Sequence, residues 1–377
     1  MSGRLRILVA GRIGVTPDQG GAAWAVLQYV LGFARLGHRV DFVEVLPAGT
    51  DPTRATAAIG EALGSVGLGD RWALGVAGTT GWTGPSAAVA RRGPWDVLVD
   101  LSGSLGPGAL ADRCARRCYV DLDPGFTQAW EAQGVGDLGL DGHTHFATVG
   151  PSIGSPDCPV PTGGRAWIPL LPPVVLDAWT PADGVTWPAF TTVANWRSYG
   201  SAEWGGVTYG QRAHSFRPLA GLPCRSPVAL RPALAIDPGE TDDLALLDGA
   251  GWELLDPARL AATPASYRDF VRGSLGELSV AKSGYVAGRA GWFSDRSACY
   301  LAAGRPVVAQ DTGFARHLPV GEGLVAFDDL DSAVAGLEAV VADLPRHRAA
   351  ARAVAAEHLD SDRVLSGLLD AVGAGRG

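Results

Sequence analysis

Residues 276–314, GELSVAKSGYVAGRAGWFSDRSACYLAAGRPVVAQDTGF, run from an apolar stretch through a glycine-containing loop and a segment of helical spacing to Gly-Arg-Pro and a second β-branched stretch. That order reads as strand, loop, helix, strand. Ser294 is the natural N-cap of the helix, and Gly304 with Pro306 closes its far end. The first N–H groups of a helix have no partner within it and carry the positive end of its dipole, so they suit a phosphate. Lys282, Arg289 and Arg296 lie close to that start, and Gly288 and Gly291 let a backbone approach a ligand. Among 31 Lys and Arg positions Lys282 is the single lysine. A compact ammonium kept where the rest of the chain uses guanidinium groups points to a diphosphate beside a sugar, with chance as the alternative.

The same alternation continues on both sides. LRILVAG (5–11) is a strand, the loop from Gly11 to Gly21 is glycine-rich, and AAWAVLQYVLGFARLGH (22–38) has helical spacing. HRVDFVEVLP (38–47), WDVLVDLSG (95–103), RCYVDLDPG (117–125) and HFATVGPS (145–152) follow as strands. A proline-rich stretch, 163–184, reads as a linker. Beyond it FTTVANW, VALRPALAI, GWELLD, ELSVAK, RPVVAQ and GLVAF read as strands, with helices near 210–220, 240–248, 264–274 and 295–303. The tail from Asp328 to Val372 is Ala-rich and helical, broken near Pro345. The expected fold is α/β, with two facing Rossmann-like doubly wound domains, 1–175 and 176–345, an interdomain cleft, and C-terminal helices in 346–377 that pack back on the first domain.

A length of 377 residues fits two domains, and 47% apolar with 19% charged residues is a globular composition. A net charge of −8 argues against nucleic-acid partners, whose binding needs clustered cations. Five cysteines without a CxxC pair read as buried thiols, not as a disulfide framework or a metal site. No run reaches the ~20 apolar residues of a membrane span and the N-terminus lacks a secretory pattern, so the expected location is the cytoplasm. Heavy arginine use with abundant Ala and Gly points to a GC-rich bacterial genome.

The arrangement resembles the nucleotide-sugar-dependent glycosyltransferases of the GT-B fold. GWFS followed by AAGRPVV is similar to the donor signature of the plant-type enzymes, RSACYLAAGRPVVAQDTG to the helix and strand of the retaining sucrose- and glycogen-synthase-like group, and GGAAWAVLQYVLGFARLGHRV to the first helix of both. Departures are visible too. Arg289 stands where the plant-type signature has histidine, and Trp292 and Cys299 stand where the synthase-like group has its paired glutamates. The resemblance implies transfer of a sugar from a nucleoside diphosphate to a small-molecule, peptide or glycan acceptor, in natural-product or glycan biosynthesis, without metal or other cofactor and by a monomer or homodimer. It implies a donor site of Asn195, Arg197, Glu277, Lys282, Arg289, Ser294, Asp295, Arg296, Ser297, Asp311 and Thr312, with Asp295 or Glu277 at the ribose.

Transfer by inversion needs a general base on the acceptor side. Asp18 and Asp123 are the first candidates; Asp100, His143, His145, Gly20 and Gly21 complete the acceptor-side set. Trp82, Trp130, Trp179 and Trp204 are expected mostly in the core, an aromatic acceptor pocket being the functional reading. A sugar-nucleotide epimerase or hydrolase, and a non-catalytic nucleotide-sugar-binding partner, are the alternatives. A nicotinamide dehydrogenase is disfavoured because the first loop lacks GxGxxG.

Overall fold

The computed structural model describes residues 3–88, 93–182 and 184–375. The first domain is built on eight strands: β1 (Arg6–Ala10), β2 (Arg39–Leu46), β3 (Trp72–Val76), β4 (Trp82–Thr83), β5 (Trp95–Leu101), β6 (Cys114–Asp121), β7 (His145–Thr148) and β8 (Trp167–Pro169). Their order in the sheet is β4-β3-β2-β1-β5-β6-β7-β8, parallel except for the β3–β4 pair. Helices α1 (Gly20–Arg35), α2 (Thr53–Gly64) and α3 (Phe126–Gln133) accompany it. Ile7, Leu8 and Val9 of β1 are wholly buried, as a strand with neighbours on both edges and cover on both faces requires.

The second domain holds β9 (Trp187–Asn195), β12 (Ala229–Ala235), β13 (Ser274–Ser279), β14 (Val307–Gln310) and β15 (Leu324–Phe327) in the parallel order β12-β9-β13-β14-β15, and a separate antiparallel ribbon of β10 (Ala202–Trp204) and β11 (Val207–Tyr209). Its helices are α4 (Arg212–Phe216), α5 (Thr241–Gly249), α6 (Pro257–Leu260), α7 (Pro264–Gly273), α8 (Ser283–Gly288), α9 (Asp295–Ala302) and α10 (Leu330–Ala342); α11 (Leu344–Val354) and α12 (Ser361–Ala371) end the chain. Chain order reverses beside β1 in one sheet and beside β9 in the other, and a doubly wound sheet opens its ligand crevice at such a point, outside the carboxyl ends of the strands.

Two local expectations change, and strands that the sequence did not mark appear. GWELLD is no strand: Asp256 caps α6 by accepting from the Ala258 N–H at 2.9 Å, and only Leu255 bridges to Ala233. The proline-rich stretch, of which Asp183 lies outside the described residues, contributes β8, an edge position where proline is tolerated. Strands β3 and β4 carry too little alternation to stand out.

Contact between the domains is dense on two flanks. On one, the Gly20 N–H donates to the Ala261 carbonyl at 2.9 Å and Trp24 Nε1 to the Pro264 carbonyl at 2.8 Å, while α12 lies on α1, with Leu365 and Ser361 against Gly32. On the other, Phe126 of α3 stands among Tyr199, Tyr209 and Tyr285 of the second domain. A Cβ on Gly20 would lie 2.1 Å from the Thr263 carbonyl oxygen. Gly20→Ala therefore forces the domains apart at this flank and is expected to destabilise by about 1–3 kcal/mol, read as a lower melting temperature in calorimetry. An unchanged melting temperature would show that the contact is not tight.

Candidate functional site

A cavity of about 670 Å³ lies between the domains. The second domain lines it with the carboxyl ends of β9 (Val193, Ala194, Asn195) and β12 (Ala235), with Lys282 just beyond β13, and with the start of α9 (Ser294, Asp295, Arg296). The first domain supplies the loop after β1, the opening turns of α1, Leu122 and Asp123 after β6, and Val149 after β7. The buried Glu44 carboxylate on β2 shapes that first loop by accepting the N–H groups of Ile13, Gly14 and Val15, each at 2.8 Å.

Three cations of the second domain face the cavity. Arg296 is committed: its Nε donates to the fully buried Glu277, Nη2 to Ser279 Oγ at 2.9 Å and Nη1 to the Val193 carbonyl at 3.1 Å. Arg212, at the start of α4, is 6% exposed. It donates to the Asn195 carbonyl at 3.2 Å and to the Val280 carbonyl, and among the described residues it has no carboxylate partner. Burial, and then the Arg296 charge, bring its pKa down to about 9. A buried guanidinium at a cavity wall with only carbonyl partners is a site for an anion.

Lys282 reaches across the domain gap. Its Nζ lies 3.3 Å from Asp123 Oδ1, accompanied by the Tyr199 hydroxyl, and sits 3.8 Å from the centroid of the Tyr199 ring. Tyr199 and Tyr285 both donate to the same Oδ1, and Oδ2 accepts no hydrogen bond among the described residues. The loop is held from below: the buried Asp121 accepts from Thr127, Gln128 and Thr148 at 2.7–2.8 Å and from the Asp123 N–H at 3.0 Å. Burial raises the pKa of Asp123, but the Lys282 charge and the tyrosine hydroxyls outweigh it and hold the carboxyl below its ordinary value. For Lys282 the balance falls the other way, since burial and the Arg212 charge exceed the attraction of Asp123 and its pKa is lowered.

The start of α9 opens into the cavity, and the Ser294 side chain makes no capping bond. The backbone N–H groups of Asp295 and Arg296 lie against the Asp295 carboxylate, so this helix end is partly occupied by its own acid. Burial raises the Asp295 pKa.

Of the residues singled out in the sequence, Asp18, Gly21, Asp123, Asn195, Lys282, Ser294, Asp295 and Arg296 come together at the cavity. Asp18 stands at its mouth, exposed and paired with Arg54 at 2.5 Å. The others are placed elsewhere. Arg197 points outward into Glu240, and Trp196 beside it is core. Glu277 lies beneath the cavity as the partner of Arg296, which removes it from any ribose. Ser297 bonds Ser279 in the interior. Arg289 lies 3.5 Å from Asp311, whose carboxylate accepts the Gly313 N–H, and Thr312 donates to the Trp292 carbonyl, so these residues brace the turn before α9. Asp100 is wholly buried, tied to Ser104, Leu105, Gly106 and His143; His145 bonds Thr144. Gly20 meets protein backbone, where a ligand was expected. Trp82, Trp130, Trp179 and Trp204 do not line the cavity, whereas Trp292, stacked on Tyr285 at 4.0 Å, does. Arg212, Tyr199 and Tyr285 escaped the sequence reading. Arg212 is one arginine among 30, and its burial at the cavity wall is a property of the fold that its sequence neighbours do not show.

Among the described residues no group of three or more His, Cys, Asp or Glu side chains is placed to hold a metal ion, and no helix is long and apolar enough to cross a membrane.

The depressed pKa of Asp123 means that its contribution to stability is present above the ordinary carboxylate value of ~4 and is lost as pH falls through the lower folded-state value. Asp123→Asn is expected to cost on the order of 1–3 kcal/mol near neutrality, allowing for the third of the side chain that is open. The difference in melting temperature from wild type should hold from neutrality down to about pH 5 and shrink as pH falls below about 4. A difference that stays constant over that range would mean that Asp123 carries no ion pair.

No family model and no curated protein matches the chain. Solved structures do. HepE of Anabaena in complex with UDP-glucose superimposes with a TM-score of 0.59 at 13% identity over 98% of this chain and 100% of that one. An alpha-glucosyltransferase in complex with UDP and a DNA 13-mer containing an HMU base gives 0.60 at 12%, again over 98% and 100%. AviGT4, a glycosyltransferase involved in avilamycin A biosynthesis, gives 0.56 at 16% over 98% and 97%. At such identities the likeness establishes architecture: the chain has the GT-B fold of paired Rossmann-like domains shared by these glycosyltransferases.

Proposed function

We propose that the protein is a glycosyltransferase that moves a sugar from a nucleoside-diphosphate sugar to an acceptor held against the first domain. The observation that carries the reading is Arg212, a buried cation without a carboxylate partner among the described residues, at the carboxyl end of β9 and on the same cavity as Lys282. In this reading both cations receive the diphosphate and neutralise it as it leaves. Asp295, the one carboxylate among the described cavity-lining residues of the second domain, takes the ribose hydroxyls. The role expected of the α9 start passes largely to these side chains.

Asp123 is the carboxylate that receives the acceptor proton. Donor binding draws Lys282 from Asp123 to the diphosphate, which removes the charge that depresses the carboxyl and makes it a better base. The acceptor oxygen then forms a bond to the anomeric carbon, the bond to the diphosphate breaks, and the proton passes to Oδ2. Asp18 is the weaker candidate, since Arg54 holds it at the exposed mouth. A non-catalytic donor-binding partner would share the diphosphate contacts but has no need of a first-domain carboxylate facing them, and Asp123 favours the transferase. On this reading the reaction belongs to the cytoplasm, and no helix among the described residues is long and apolar enough to cross a membrane.

Titration calorimetry with UDP and other nucleoside diphosphates tests the site. Arg212→Leu and Lys282→Met are each expected to weaken the best-bound diphosphate about 10- to 100-fold, the effect of one charge-assisted contact of roughly 1.5–3 kcal/mol. Unchanged affinity in both variants would remove them from the donor site. Sugar transfer surviving in Asp123→Asn would remove that residue as the base.

A further inference from the structure

We infer that the acceptor is an uncharged small molecule with a mainly apolar body and one or a few hydroxyl groups, and not a glycan, a nucleic acid or a phosphorylated compound. The inference rests on the transferase reading and narrows its acceptor.

The first-domain wall of the cavity is largely apolar. Successive turns of α1 show it Gly21, Ala22 and Ala25, small and partly exposed; Leu122, Val149 and Pro172 face it from other elements. Small residues along one face of α1 leave space that larger side chains would fill. Burial of an apolar body against this wall contributes about 25 cal/mol per Å² removed from water.

Charge excludes the anionic classes. Among the described residues, the charged side chains that the first domain brings to the cavity are Asp18 and Asp123, both carboxylates, with no described Lys, Arg or His of that domain beside them. A phosphate or a nucleic-acid strand placed there meets negative charge on its own side, while the cations of the cavity belong to the second domain and to the donor.

Hydrogen-bonding capacity excludes the glycan. Gln28 is used up, its oxygen accepting from the Val175 N–H at 2.8 Å and its amide directed at Cys299 Sγ. Thr16 Oγ1 and the Tyr29 hydroxyl are buried beneath the surface of this wall, out of a ligand's reach, and Gln19 at the mouth is its one uncharged polar side chain left open among the described residues. A ligand with one or two oxygens satisfies that amide. An oligosaccharide carries several hydroxyls on each ring, and burying those without partners costs roughly 1–3 kcal/mol apiece.

The test uses the full chain saturated with UDP and reads ligand binding by tryptophan fluorescence, to which the cavity residue Trp292 contributes. The probes are a flavonol, a neutral disaccharide and a sugar phosphate. The expected result is saturable binding of the flavonol alone, at least tenfold tighter than the other two. Ala25→Phe, which fills the α1 wall, should weaken it tenfold or more, with Ala22→Leu as the milder second variant; the UDP affinity of each variant reports whether its cavity is folded. Disaccharide or sugar phosphate binding as tightly as the flavonol overturns the acceptor class, as does flavonol affinity that neither variant changes. Failure of UDP and of every other nucleoside diphosphate to bind overturns the transferase reading itself, and is seen before any acceptor is added.

Discussion

The ion pair between Lys282 and Asp123 joins the two domains across the cavity, and the cavity's electrostatics follow from it. Two tyrosines donate to the oxygen that the lysine approaches, and an aromatic ring lies under the ammonium, so both charges are compensated at a place that water reaches only in part. The compensation is unequal. Asp123 is held below its ordinary pKa while Lys282 is lowered by burial and Arg212. In the proposed reading a diphosphate competes with Asp123 for the lysine, and the contact that joins the domains across the cavity is the one a donor would exchange.

Backbone proximity sets the frame for that exchange. The start of α1 touches the Ala261–Pro264 corner so closely that only glycine fits at position 20, and α12 returns to cover the same helix. On the opposite flank the β10–β11 ribbon follows β9, brings Tyr199 to Asp123 and packs with α3 around Phe126. Between these flanks the carboxyl ends of both sheets leave the cavity open. The first domain gives it mostly small and apolar side chains, and the second gives it the cations.

Much of the architecture was legible because it is written locally. The apolar run of β1, the helical spacing of α1 and the strand, helix and strand of 276–314 lie where periodicity and caps placed them. Charged residues were harder to place. Arg289, Arg296 and Arg197 look alike in sequence, yet the fold turns one toward Asp311, one under the cavity into Glu277 and one outward into Glu240. Glu277 follows the same rule, since its position on β13 directs it into the interior.

The sequence by itself determined which segments become strands and helices, and so the two doubly wound domains and the side on which a crevice must open, because periodicity, caps and turn residues act over a few neighbours. It also marked Lys282 and Asp123 separately. Tertiary structure alone decided that these two meet, that Arg212 lacks a carboxylate partner among the described residues, and that an expected ligand-contact glycine instead seats a protein carbonyl. Those outcomes depend on burial and on distances between residues 159 or more than 200 positions apart, which no local pattern of side chains encodes.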